Sequence, residues 1–138
     1  TEPGDRLPSP IEVGIISKNG TPIIPFASMA TGLHQQTVQS ILNIISFGMN
    51  VKEAVDAPSI FLPSIDLSNM MAPKYTVRVM EGAFPADVIE ASGLPVDQLP
   101  ASARRYTQGL WIGVYRDPAT GELQAASPPY ATGKALAY

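Results

Sequence analysis

A chain of 138 residues, 45% hydrophobic and 15% charged, has the length of one domain and enough apolar material to bury a core. Its net charge of −3, with Arg104-Arg105 as the nearest thing to a basic cluster, gives no footing for nucleic acid, and no apolar run reaches the roughly 18 residues of a membrane span. The lack of cysteine removes disulfides, thiolate metal sites and a Cys nucleophile, while the single histidine, His34, rules out a multi-histidine metal centre and obliges any Ser-His-Asp triad to use it.

Residues 1–10 form a Pro-rich extended lead-in without the charged-then-apolar pattern of a signal peptide. Ile11 to Ser17 is an apolar, β-rich run, and Asn19-Gly20 is a strong hairpin signal. The return strand, "TPIIPFA", carries Pro22 and Pro25, so it is expected to be short or near a sheet edge. A turn of small residues follows, Ala27-Ser28-Met29-Ala30-Thr31-Gly32, at the head of a helical pattern running from Leu33 to about Phe47. Val38, Ile41, Leu42, Ile45 and Met49 recur there at three- and four-residue steps, with Gln36, Gln39, Ser40, Asn43 and Ser46 on the other side. Thr31 suits the N-cap and Gly48 the stop.

"NVKEAVDAP" reads as a short second helix ended by Pro58, and "SIFLP" as a strand. Residues 64–74 read as loop, "YTVRVM" as a strand, "PADVIEASG" as a short helix capped at Gly93, and "LPVDQLPASARRYTQ" as irregular. "GLWIGVYRD", "PATG" and "ELQAAS" make a hairpin, and the tail is loop. With no internal repeat or linker, this alternation of paired strands and helices implies one α+β layered domain over residues 1–138.

Six stretches, "EPGDRLPS", "KNGTP", "ASMATG", "ILNIISFGMNVKEAVDAP", "TGELQAASPP" and the terminal "ALAY", occur in an order and at a spacing that resemble the C-terminal part of the small subunit of the γ-glutamyltransferase family. "FGMNVKEAVDAP" is the most specific of them. The resemblance spans nearly the whole chain. It implies an N-terminal-nucleophile hydrolase fold, a four-layer αββα sandwich of which this chain supplies part. It also implies a larger subunit cut from the same precursor, a small-molecule substrate with a carboxylate, and neither metal nor organic cofactor. A threonine exposed by the cut would be nucleophile and, through its own α-amine, general base, so no histidine is needed.

At the family's G-S-x-G-G turn this chain reads Ala27-Ser28-Met29-Ala30-Thr31. The backbone N–H groups of Ala30 and Thr31 then fall at the oxyanion-hole positions. Ser9, Ser28, Met29 and Gly32 fall at substrate-binding positions, and His34, one step into the helix on the Val38/Ile41/Ile45 side, is either within reach of a ligand held at the turn or simply packed. Thr1 is not expected to be the nucleophile: "EPGDRLPSP" behind it cannot begin a buried strand, so the nucleophile is expected upstream. The family's two substrate serines become Ser9 and Pro10, which removes a hydroxyl and an N–H. Its paired glycines become Ala30 and Thr31, and its "AASDPR" becomes "AASPPY".

The departures fall at substrate positions while the scaffold phrases hold, which implies an altered substrate preference. One alternative is a biosynthetic relative that hydrolyses a carbon–carbon bond in a modified amino acid, for which a cytoplasmic location is favoured. Another is a non-catalytic interaction domain that keeps the scaffold. A plain packing turn would also explain Ala27 to Gly32. Of the other candidates, Asp56 is expected to bond backbone at a helix end, and Glu53 to lie on a solvated face. Arg104 and Arg105 would meet solvent, a carboxylate or a partner. Trp111 and Tyr115 are expected in the core, and Tyr130 in a surface loop.

Overall fold

Two strands joined at Asn19-Gly20 begin the sheet that organises the molecule. The computed structural model describes residues 2–5, 11–29, 33–61, 76–103 and 109–129. β1 (Ile11–Lys18) and β2 (Thr21–Met29) pair antiparallel. The turn between them has φ of 51° at Asn19 and 80° at Gly20, the left-handed pair that matches the twist of a two-residue hairpin. β6 (Ile112–Arg116) and β7 (Leu123–Ala126) continue this sheet in the order β1-β2-β6-β7.

β2 is neither short nor at the edge: it runs nine residues and lies between β1 and β6. The prolines are tolerated because β6 pairs only with Phe26 and Ala27, so Pro22 and Pro25 sit where no ladder is made on that side. A bulge opposite Ile16 and Ser17 breaks the alternation, and Ile23 and Ile24 are both buried as a result.

α1 (Leu33–Ile45) and α2 (Val51–Asp56) cover one face of this sheet. The core between them holds Ile24, Trp111 and Ala126 from the sheet side with Ile44, Val51, Ala54 and Val55 from the helices. Tyr115 packs against its rim, as expected. Phe26 stacks on Trp111 at 6.3 Å between ring centroids. Two glycines make room for these rings: a Cβ at Gly113 would lie 2.1 Å from Trp111, and one at Gly14 would lie 2.5 Å from Phe26.

α1 ends at Ile45, and the carbonyls of Leu42 and Asn43 are taken by the N–H groups of Ser46, Phe47 and Met49. Gly48, at φ 68°, permits that turn. α2 begins at a capping box: Glu53 N–H donates to Asn50 Oδ1 (2.8 Å) and Asn50 N–H to Glu53 Oε2 (3.0 Å). Glu53 is therefore part of a cap rather than merely solvated. The expected backbone bond of Asp56 is replaced by an ion pair with Lys52 one helical turn away.

A smaller sheet has the order β3-β4-β5, from β3 (Ile60–Phe61), β4 (Val77–Met80) and β5 (Val96–Leu99). β4 and β5 are parallel, and α3 (Ala86–Ala91) lies between them in the chain. β5 falls within a segment expected to be irregular. A four-residue strand flanked by Pro95 and Pro100 gives little periodic signal, and only pairing with β4 defines it. Among the described residues, no helix is long and apolar enough to cross a membrane.

Candidate functional site

The end of β2 and the start of α1 bracket the small-residue turn. Ser28 and Met29 are the last residues of β2, and α1 begins four positions on. The turn residues Ala30, Thr31 and Gly32 lie outside the described residues, as do Ser9, Pro10, Thr1, Arg104, Arg105 and Tyr130. Of the expected site residues, the structure thus describes Ser28, Met29 and His34.

Ser28 and Met29 point to opposite faces of the sheet. Ser28 is opposite Glu12 in the β1–β2 register, on the helix-covered face, and only 1% of it is exposed. Met29 is opposite Ile11 on the other face and is exposed. Its carbonyl accepts a hydrogen bond from Leu110 N–H at 2.9 Å, which ties the end of β2 to the approach to β6.

His34 is in the first turn of α1, with its side chain 75% exposed and its Nδ1 3.6 Å from Glu12 Oε2. The same oxygen accepts a 2.7 Å hydrogen bond from the hydroxyl of Thr37. Thr37 is buried. One carboxylate of β1 therefore bonds Thr37 of α1 and lies near His34, and with Ser28 opposite it forms a polar group beside the head of the helix. Sequence reasoning missed Glu12 and Thr37. The available signal was a lone charge inside the apolar alternation of "IEVGII".

α1 lies on the sheet with its faces reversed from the expectation. Gln36, Thr37, Ser40 and Ile44 are buried, while Val38, Leu42 and Ile45 are exposed. Ile41 and Met49 are half-buried. Gln36 and the half-buried Gln39 find partners that a periodicity cannot reveal, whereas the buried hydroxyl of Ser40 has none among the described residues. Ser59 donates its hydroxyl to Gln36 Oε1 (3.3 Å), and Gln39 both donates to Ile60 O and accepts from Ile60 N–H, each at 3.0 Å.

Among the described residues, nothing covers the opposite face of the four-stranded sheet. The register aligns Ile11, Val13 and Ile15 of β1 with Met29, Ala27 and Pro25 of β2, and Ala27 with Ile112 of β6. All of these are exposed, Val13 by 73%. Leu123, opposite Arg116 on β7, extends the same apolar surface. A sheet covered by helices on one face and apolar on the other is half of a layered sandwich.

Solved structures carry the same arrangement. An acivicin-inhibited γ-glutamyltranspeptidase superposes with a TM-score of 0.71 at 21% identity, over 96% of this chain and 66% of that one. The fold is that of the γ-glutamyltranspeptidases. The Helicobacter pylori γ-glutamyltranspeptidase gives a TM-score of 0.68 at 20% identity, over 94% of this chain and 65% of that one. The Bacillus anthracis transpeptidase CapD gives 0.69 at 15% identity, over 99% and 75%. The chain therefore spans about two thirds of the γ-glutamyltranspeptidase chains it matches. Its sequence matches no protein-family model and no curated protein. The γ-glutamyltranspeptidase fold makes this chain part of an αββα sandwich, with α1 and α2 as a helical layer and β1-β2-β6-β7 as a sheet layer.

Proposed function

We propose that this chain is the C-terminal part of the small subunit of a γ-glutamyltransferase-like N-terminal-nucleophile hydrolase or acyltransferase with altered substrate preference. The single observation that carries this reading is the bare apolar sheet face of Ile11, Val13, Ile15, Met29 and Ile112, which in this fold faces a second sheet. The nucleophile is a threonine upstream of Thr1, set free by cleavage of a precursor whose other product is the larger partner subunit.

The chemistry follows from those parts. The threonine hydroxyl attacks the substrate carbonyl while its α-amine takes the proton. The tetrahedral oxyanion is held by backbone N–H groups at Ala30 and Thr31, at the head of α1, where the helix dipole also favours negative charge. Collapse expels the leaving group and leaves an acyl-enzyme, which water or an amine then releases. Ser9, Met29, Gly32 and His34 are the residues assigned to the acyl group and its carboxylate, while Ser28, buried on the helix-covered face of the sheet, backs the turn. Pro10 and Ala30-Thr31 remove donors and glycine freedom where a glutamyl group would be held, so a different acid is the preferred acyl donor. The enzyme is soluble and belongs to a specialised biosynthetic route.

Turnover of a γ-glutamyl anilide by the native protein tests the altered preference. Losing one or two hydrogen bonds to a carboxylate costs about 1–3 kcal/mol, or roughly 5–150-fold in kcat/KM. Slow turnover accompanied by acyl-enzyme formation from another carboxylate-bearing substrate is expected. Brisk turnover of the anilide contradicts the altered preference. A native protein that forms no acyl-enzyme with any such substrate points instead to a non-catalytic domain.

A further inference from the structure

The acid that meets the head of α1 has no part in the acyl-transfer steps. Glu12 is half-buried, and its Oε2 accepts a 2.7 Å hydrogen bond from the buried hydroxyl of Thr37. The Nδ1 of His34 lies 3.6 Å from the same oxygen. Residues three apart on a helix share one side, so a single carboxylate reaches both. Thr37 fixes that carboxylate from within, and His34 meets it from solvent with its ring open to a ligand. An exposed ion pair adds little to stability, so the consequence of this contact lies in how the ring is set. An imidazolium has two N–H donors. With Nδ1 turned to Glu12, Nε2–H is the donor left for another anion.

Composition narrows what can meet an anion here. From Asn19 to Val51, a span that takes in β2, the turn and α1, the sequence contains no Lys, Arg, Asp or Glu. His34 is the one residue of that span whose side chain can carry a positive charge, and it stands two positions past Gly32. The proposed substrate bears a carboxylate, to which Pro10 offers neither hydroxyl nor N–H. A hydrogen bond between ionised partners is stronger than one between neutral groups. One imidazolium therefore offsets the neutral donors that Pro10 removes.

We infer that Glu12 is a positioning residue for substrate selection, setting the His34 ring so that Nε2–H receives the substrate's carboxylate. The inference rests on the enzyme reading above and names how that site selects its acid. Glu12 does not touch the substrate; it acts through His34.

Two acyl donors that differ in one group test this in the assembled native protein. They are γ-glutamyl anilide and γ-aminobutyryl anilide, the same amide without the α-carboxylate. The readout is the ratio of their kcat/KM values, which a merely structural loss, falling on both donors alike, does not move. His34→Gln and Glu12→Gln are each expected to lower the ratio about tenfold, through the KM of γ-glutamyl anilide. Glu12→Gln keeps an acceptor for the Thr37 hydroxyl, so the head of α1 stays anchored. The double variant is expected to fall no further than His34→Gln alone, because the two residues act as one unit. An unchanged ratio in either single variant, a further fall in the double variant, or a native protein without preference for the carboxylate-bearing anilide overturns the inference and leaves the enzyme reading standing. A native protein that forms no acyl-enzyme with any carboxylate-bearing substrate removes both.

Discussion

Thr37 and Glu12 are 25 positions apart, and one hydrogen bond between them sets the head of α1 against β1. Thr37→Val leaves a partly buried carboxylate short of a donor. A bond to a charged group contributes about 1.5–3 kcal/mol, so the chain's unfolding midpoint should fall by that equivalent, and Thr37→Ser should restore most of it. Gly113 makes a second residue-scale demand. Any Cβ there meets the fully buried ring of Trp111. Gly113→Ala should cost about 1–3 kcal/mol in denaturant unfolding, whereas an unchanged midpoint would mean that the ring can move aside. At this scale the sequence shows the residue types and hides their partners. Glu12 stands out as a charge in an apolar run, but nothing local says that Thr37 and His34 will meet it. Ala30, Thr31, Gly32 and Ser9 enter the site through resemblance, and they lie outside the described residues.

Elements with local signals were legible. Asn19-Gly20 marks the hairpin, Gly48 the end of α1, and Trp111 and Tyr115 read as core, which Trp111 enters and Tyr115 packs against. α2 depends on a cap that sequence reasoning passed over, Asn50 three residues before Glu53. Asn50→Ala should therefore cost about 1 kcal/mol and speed amide exchange across Val51–Asp56, and unchanged exchange would remove the cap's role. Elements set by distant contacts were not legible. The orientation of α1 is the clearest case. Its apolar period points one way, but Gln36, Gln39 and Thr37 find hydrogen-bond partners on β1, β3 and Ser59, and the helix turns to meet them. β5 is another, since its parallel partner lies across α3.

At the scale of the whole molecule, the described residues supply part of a helical layer and part of a sheet layer. The apolar face of β1, β2 and β6 belongs to the γ-glutamyltranspeptidase fold, and the phrase "FGMNVKEAVDAP" made that fold legible where composition alone gave only α+β. Replacing Val13 and Ile15 by Asp should abolish assembly with the larger subunit, because two charges on a sheet-to-sheet contact have no partner there. Co-purification of the two chains by the double variant would contradict that. The central claim is that catalysis uses an attacking hydroxyl from another stretch of polypeptide beside this sheet. Intact mass and N-terminal sequencing of the native protein test it most directly. Two chains are predicted, with the one containing Ile11–Ala126 beginning at a threonine upstream of Thr1. A single uncut chain with no such threonine would contradict the account.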